Sequence, residues 1–287
     1  MNSKPMRPGL PWALPAIAAL ASLALLLAWW GDSPARAALW PTHHVAFLTL
    51  NRQLAFLPQS IWWGLTLLGD TSVLMLLLAP LLTWRPRAWA AIVASVPAGA
   101  LFSVLVKNLA SVPRPAAVLA DFNLIGPALH SNSFPSGHSI TAFAAAAAVL
   151  AVTVPEPRRI VQWTILGAGV LVALMISMSR LAVGAHWPLD LVAGAAGGWL
   201  AGLSGVLLTR RTGWWQWLFV GRGRRAAGAG LVVWGVALWL RAHETAACAV
   251  VLGTAGFFGI LTGLNLLASK GASPGQVSAD GSDTKAS

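Results

Sequence analysis

The sequence predicts an all-α fold: a polytopic membrane helix bundle with a six-span core and a C-terminal two-span hairpin. Three observations carry that expectation. Apolar runs of bilayer length recur along the whole chain, and 57% of its 287 residues are hydrophobic while 9% are charged. There are sixteen Trp and no Tyr, and many of these Trp, among them Trp62, Trp84, Trp187 and Trp239, stand at run ends as an interfacial belt requires. Such a composition excludes a soluble domain. A net charge of +11 would suit a nucleic-acid binder if it covered one face of a soluble fold. Here the cations fall between the apolar runs, so the expected partner is the bilayer and not nucleic acid. The single cysteine, Cys248, lies inside an apolar run, which leaves no intramolecular disulfide and no cysteine-based metal cluster.

Taken in order, Lys4 and Arg7 precede an apolar stretch from about Leu10 to Trp30. The charge pattern is that of a signal peptide, and Ala35-Arg36-Ala37 resembles a cleavage site. A run of about 20 residues is nevertheless long enough for a retained anchor, which is the reading taken. Residues 31–60 are mixed, and His43 and His44 read as solvated interfacial histidines without a role. The second span, about Ile61 to Thr83, is interrupted by Gly69-Asp70-Thr71-Ser72. Asp70 is either an intramembrane functional acid or the N-cap of the true span, with Ile61 to Leu68 lying in the interface. The cap is favoured.

Arg85-Pro86-Arg87 turns the chain into a third span, about Ala88 to Val106, which ends at Lys107. The loop at 108–134 has 27 residues, more than a connector needs. His138 begins an Ala-rich fourth span, closed by Pro155-Glu156-Pro157-Arg158-Arg159. A fifth, about Ile160 to Met178, delivers Arg180, and Pro188 suits the first turn of a sixth, about Pro188 to Leu208. Gly194, Gly197, Gly198 and Gly202 would let that helix pack closely. Trp214 to Arg225 reads as a segment lying on an anionic membrane surface or as a plain basic loop. Two further runs, about Ala226 to Leu240 and Ala246 to Ala268, form the hairpin, and the small, polar tail from Ser269 reads as disordered. The expected organisation is a membrane-embedded core at 1–213, an added segment at 214–268 and a tail at 269–287.

With eight spans and the N-terminus inside, thirteen of the 19 Lys and Arg fall on inner segments, as the positive-inside rule asks. Lys107, Arg114 and Arg180 go against that trend and gather at the outer face. On this topology the third span ends, the fourth begins, the fifth ends and the sixth begins at one surface. Lys107, Arg114-Pro115, Phe134-Pro135-Ser136-Gly137-His138, Ser179-Arg180, His186 and Asp190 therefore meet. Three cations neutralise a phosphate best where charge spreads over the equatorial oxygens of a transferring phosphoryl group. The Ser136 hydroxyl and the N–H groups around Gly137, at a helix N-terminus, complete the cradle. His186 and Asp190 are four apart and share a face if the first turn is helical, and a carboxylate on one ring nitrogen makes the other a better nucleophile. His138 is left as the general acid. Any one of these histidines alone would read as an interfacial residue; together they do not.

Lys107 with six residues before Arg114-Pro115, then Pro135-Ser136-Gly137-His138, then Ser179-Arg180 with five residues before His186 and three before Asp190, spans 107–190. This resembles the tripartite signature of the type 2 phosphatidic acid phosphatase family, which shares its site with vanadium haloperoxidases. The resemblance implies a metal-independent lipid phosphatase without cofactor, acting through a phosphohistidine at His186. Asp190 would orient it, His138 would be the acid, and Lys107, Arg114, Ser136, Gly137 and Arg180 would bind phosphate. It also implies a phosphorylated membrane lipid as substrate: undecaprenyl diphosphate, phosphatidylglycerol phosphate, phosphatidic acid or a lipid A phosphate. The composition suits a bacterial inner membrane with the site on the periplasmic side and the N-terminus in the cytoplasm. The oligomeric state stays open. An anion transporter could use the same cations but leaves the histidines and Asp190 without a task. A vanadate peroxidase would be expected to resemble soluble proteins. A lipid-to-lipid phosphotransferase would have the same site and stays open.

Overall fold

The computed structural model describes residues 34–153, 159–242 and 246–269, and the regular structure among them is entirely helical. The expected first span, the Pro155 to Arg158 turn, the tip of the hairpin at His243 and Glu244, and the tail beyond Ser269 lie outside these residues. The helices are α1 Pro34–Leu54, α2 Gln59–Leu68, α3 Thr71–Leu77, α4 Leu81–Trp84, α5 Pro86–Ala110, α6 Pro115–Val118, α7 Gly137–Thr153, α8 Arg159–Ala182, α9 Pro188–Thr212, α10 Gly221–Leu240 and α11 Ala246–Ala268.

Four stretches among the described residues are long and apolar enough to cross a bilayer: Pro86–Val118, Ile160–Ala182, Pro188–Thr212 and Ala246–Ala268, with mean hydropathies of 2.0, 2.0, 1.7 and 1.9. They make the chain a multi-pass membrane protein. A fifth is reached if α2 and α3, bent by 80° at their junction, count as one broken span. The junction has a local cause. Asp70 caps α3, its Oδ1 accepting the backbone N–H groups of Ser72 at 2.8 Å and Val73 at 3.3 Å, so the chain starts a new helix there instead of prolonging the old one. At 17 residues α7 is about 25 Å long, short for a crossing. α10 places Arg222, Arg224 and Arg225 in its first turns, which shortens its apolar length.

α9 is the central element, packed against α7 and α5, with α8 on the far side of α7. Contact is close enough to be backbone-on-backbone. A Cβ at Gly194 would stand 2.6 Å from the Ser136 carbonyl oxygen, and one at Gly198 would stand 2.4 Å from that of Ile140, so a side chain at either would push the start of α7 off α9. The hairpin packs back onto α2 and α3, and Val73, Leu76, Leu231, Leu238, Leu252 and Leu266 share one buried cluster.

Two expectations are corrected. Much of the mixed stretch at 31–60 is helical: α1 runs through Pro41, and its inward face carries Phe47 and Asn51, both with 0% exposure. Polar residues hid this helix because they face a polar site instead of an apolar core. Trp62 and Trp187 do not belong to the interfacial belt. They are 5% and 0% exposed, and their indole N–H groups donate to the carbonyl oxygens of Leu54 and Pro113, both at 2.7 Å. Their rings fill space between helices, as buried Trp with a satisfied N–H does. Trp84 and Trp239 remain exposed.

Candidate active site

The site lies where α5 ends, α7 begins, α8 ends and α9 begins. Pro188 opens α9 and Asp190 is its only first-turn acid. From the third helical position, the Asp190 carboxylate reaches back to accept the N–H of Trp187, the N-cap residue, at 2.8 Å, which is one half of a capping box. The same oxygen, Oδ2, takes Nδ1–H of His186 at 3.1 Å. His186 therefore lies before the helix, not on its face, and the spacing of four works because the acid folds back over the N-terminus. Oδ2 also accepts the hydroxyl of Ser133, and Ser133 and Asp190 are 0% and 1% exposed.

On its other side, His186 Nε2 lies 3.3 Å from Arg114 Nη1. A guanidinium can only donate, so Nε2 is the acceptor and the proton resides on Nδ1. Burial, then the charges of Arg180 and Arg114, hold the His186 imidazole well below its ordinary pKa. The ring is neutral at pH 7, with its Nε2 lone pair directed at the cations. Arg114 is itself fixed by donating Nη1–H to the Ala185 carbonyl and Nε–H to that of Ser131, both at 2.9 Å. Arg180 donates from Nη1 to Thr66 Oγ1 at 2.7 Å, while its buried Nε has no partner among the described residues. An orphan guanidinium N–H aimed into a cationic pocket fits an anion. Lys107, in the last turn of α5, lies within electrostatic reach of Arg114, Asp190 and Arg180.

Ser136 caps α7: its Oγ accepts the Ser139 N–H at 3.4 Å and its carbonyl that of Ile140 at 3.1 Å. Its hydroxyl proton stays available to an anion. A Cβ at Gly137 would meet nothing within 4 Å, so packing does not demand glycine there and its bare face is open space for a ligand. His138 follows. Neither of its ring nitrogens is hydrogen-bonded among the described residues, and it borders a cavity of about 240 Å³ together with Asp70, Thr141 and Ser103. Asp70 and Arg180 both act on it electrostatically, and its ring packs so tightly on Gly69 that a Cβ there would come within 2.8 Å. Thus Asp70 is a cap and also a carboxylate facing His138.

The eight expected site residues come together at this end of the bundle. The sequence reading missed their supports. Ser133 holds Asp190; Thr66 holds Arg180; Asn51 donates to the carbonyls of Leu181 at 2.8 Å and Asn123 at 3.0 Å, tying α1 and the long loop to the end of α8. His43, given no role, accepts the Leu189 N–H at 3.3 Å and stacks on Trp187. A lone hydroxyl or amide inside an apolar run was the available signal. As to metals, among the described residues no three His, Cys, Asp or Glu side chains converge, so the donor set fits an anion and not a divalent cation.

A model of the PAP2 superfamily matches residues 87–217, a segment that contains every one of these groups from Lys107 to Asp190. This segment belongs to PAP2. Two relatives match the PAP2 segment over part of their length. An undecaprenyl-diphosphatase of Sulfolobus acidocaldarius is 34% identical over 95 residues, 31% of this chain and 42% of that one. A lipid A 1-phosphatase of Rhizobium etli is 43% identical over 81 residues, 27% of this chain and 30% of that one. The chain thus spans less than half the length of either relative. Among solved structures, it is similar to Aquifex aeolicus LpxE at a TM-score of 0.48 with 29% identity, covering 56% of this chain and 93% of that one. It is also similar to a transmembrane PAP2-type phosphatidylglycerolphosphate phosphatase of Bacillus subtilis at 0.49 with 20% identity, covering 69% and 96%.

Proposed function

We propose that the protein is an integral membrane lipid phosphatase that removes a terminal phosphate from a phosphorylated lipid through a phosphohistidine at His186. The observation that carries the reading is the His186 environment: Nδ1 held by Asp190, Nε2 turned to Arg114. A neutral, oriented imidazole beside cations is an activated nucleophile next to a phosphate trap. The substrate phosphate sits among Lys107, Arg114 and Arg180, the Ser136 hydroxyl and the backbone at Gly137. His186 Nε2 forms the P–N bond as the bond from phosphorus to the leaving oxygen breaks, and His138, in its protonated form, gives that oxygen its proton. Water then attacks phosphorus with His138 as base, the P–N bond breaks, and inorganic phosphate leaves. Nothing in this sequence of steps requires a metal, and the scarcity of clustered acidic ligands supports a metal-free reaction.

The substrate class extends to undecaprenyl diphosphate, phosphatidylglycerol phosphate, phosphatidic acid and lipid A phosphates; the names of the relatives favour the first and the last. We place the site at the periplasmic side of a bacterial inner membrane with the N-terminus in the cytoplasm, which the distribution of Lys and Arg supports. Residues 1–213 form the phosphatase core in this reading, as the family match ending at residue 217 favours, and 214–268 an addition to it. The test is single-turnover labelling with a ³²P-lipid in EDTA. Wild type should form an acid-labile, base-stable phosphoenzyme and release phosphate, and His186→Ala should do neither. Labelling that survives His186→Ala, or turnover restored only by magnesium, would refute the mechanism; label appearing on a second lipid instead of in phosphate would make the enzyme a phosphotransferase.

A further inference from the structure

The opposite end of the bundle holds a second basic cavity, where α5 begins and α9 ends. Along α9, Thr209 stands roughly 30 Å from Asp190 at 1.5 Å per residue, so the two sites lie at opposite ends of the same helices. The cavity measures about 240 Å³, and Arg87, Thr209, Arg210, Trp215 and Gln216 line it. No acidic side chain is among its described lining residues. The Arg87 guanidinium lies 5.7 Å over the Trp215 ring, and Arg210 Nη2 donates to the Ala151 carbonyl at 3.0 Å. Both guanidiniums are thus aimed by contacts that leave other N–H groups over.

The positive-inside rule accounts for arginines at this level, but not for the buried hydroxyl among them. Thr209 is 4% exposed and its Oγ1 has no hydrogen-bond partner among the described residues, although helix hydroxyls elsewhere in this chain bond back to the carbonyl four residues earlier, as Ser204 and Thr212 do. A buried hydroxyl without a partner costs free energy unless a ligand meets it. The negative end of α9 opposes an anion, but the Gly213 N–H covers the Thr209 carbonyl and Arg210 and Arg211 lie in the last turn.

We propose that this cavity binds a phosphate group, held by Arg87 and Arg210 with the Thr209 hydroxyl as a third donor and Gln216 at the rim. That chemistry is shared by the headgroup of an anionic phospholipid and by free phosphate. The exposed Trp217 next to it places the cavity at headgroup depth, where Trp concentrates. The site lies apart from the catalytic residues, so its occupancy is independent of the reading above.

Native mass spectrometry of the full-length protein, with phosphatidylglycerol or phosphatidylcholine added, tests it; neither lipid carries a terminal phosphate for the catalytic site. Wild type should retain phosphatidylglycerol in preference, and the double change Arg87→Gln with Arg210→Gln should weaken retention about tenfold, the worth of one or two charge-assisted hydrogen bonds. Changing Arg211 and Arg222 to Gln together should leave it unaltered, and Thr209→Val, which keeps the shape, should weaken it a few-fold. Should phosphatidylglycerol show no preference while inorganic phosphate raises the melting temperature by an amount partly lost in the Arg87/Arg210 pair, the occupant is free phosphate. Equal losses in the two double variants would mark a diffuse cationic belt and overturn the site, as would the absence of both effects.

Discussion

Two imidazoles face one phosphate pocket and are held in opposite ways. His186 is 2% exposed, with one nitrogen on Asp190 and the other against Arg114, and Asp190 itself is held by Ser133 and the Trp187 N–H. His138 has no hydrogen bond to either nitrogen among the described residues and borders a cavity, with packing on Gly69 and the charge of Asp70 as its only restraints. The difference follows from the two tasks. A nucleophile must keep one tautomer and one lone-pair direction, because a small misplacement costs attack rate. A proton donor must exchange its proton with a leaving group and then with water, so fixed partners at both nitrogens would compete with its work.

The largest effect that could break this comparison is on the leaving-group side. His138→Ala should slow turnover of an alkyl lipid phosphate by about 10²–10³-fold, the usual worth of general acid–base catalysis. It should slow p-nitrophenyl phosphate much less, since that leaving group departs without a proton. Steady-state kinetics on both substrates decide it: equal losses would show that His138 binds or positions and does not protonate, and the contrast with His186 would collapse.

The support of His186 gives a smaller effect. Ser133→Ala removes one hydrogen bond to a charged acceptor, worth about tenfold in kcat. It should also leave a signature in the pH profile. Without the hydroxyl the Asp190 carboxylate leans harder on His186 and raises its pKa toward the ordinary value, so the acid limb of kcat/KM should move to higher pH. A tenfold loss with an unmoved limb would mean that Ser133 merely packs.

How much of this was legible in the sequence divides along the same line. The spans show because apolar runs of bilayer length are hard to mistake. The catalytic side chains show because the pocket needs charged groups, and Lys107, Arg114, Arg180, His186 and Asp190 stand out against an apolar background. The supports do not. Ser133, Thr66 and Asn51 are single small polar residues whose partners are backbone carbonyls or residues far along the chain, as Asn51 with Leu181, and such a pairing has no periodicity. α1 was hidden for a related reason: its polar residues face the site, so it lacks an apolar stripe. The reason given for Asp190 was also incomplete, because spacing alone does not reveal that the acid is both cap and orienter.

The smallest effect concerns that hidden helix. His43 accepts the N–H of Leu189, one of the first-turn donors of α9 that otherwise has no partner within the helix. Burial, then the neighbouring His44, lowers its pKa to about 4, so at pH 7 it is neutral and able to accept. The sign follows from linkage. An unfolded His43 takes up its proton near its ordinary pKa of about 6.5, while the folded one resists until about 4. The stabilisation from His43 is therefore complete above 6.5 and is lost as pH falls through that window. His43→Gln keeps an acceptor that does not titrate; turnover at pH 7 should change by no more than about threefold, within the worth of one neutral hydrogen bond. The melting temperature of the variant should fall less steeply than that of wild type between pH 6.5 and 4. His186 titrates in the same direction in both proteins and cancels in the comparison, so parallel curves would show that α1 does not hold the start of α9 through His43.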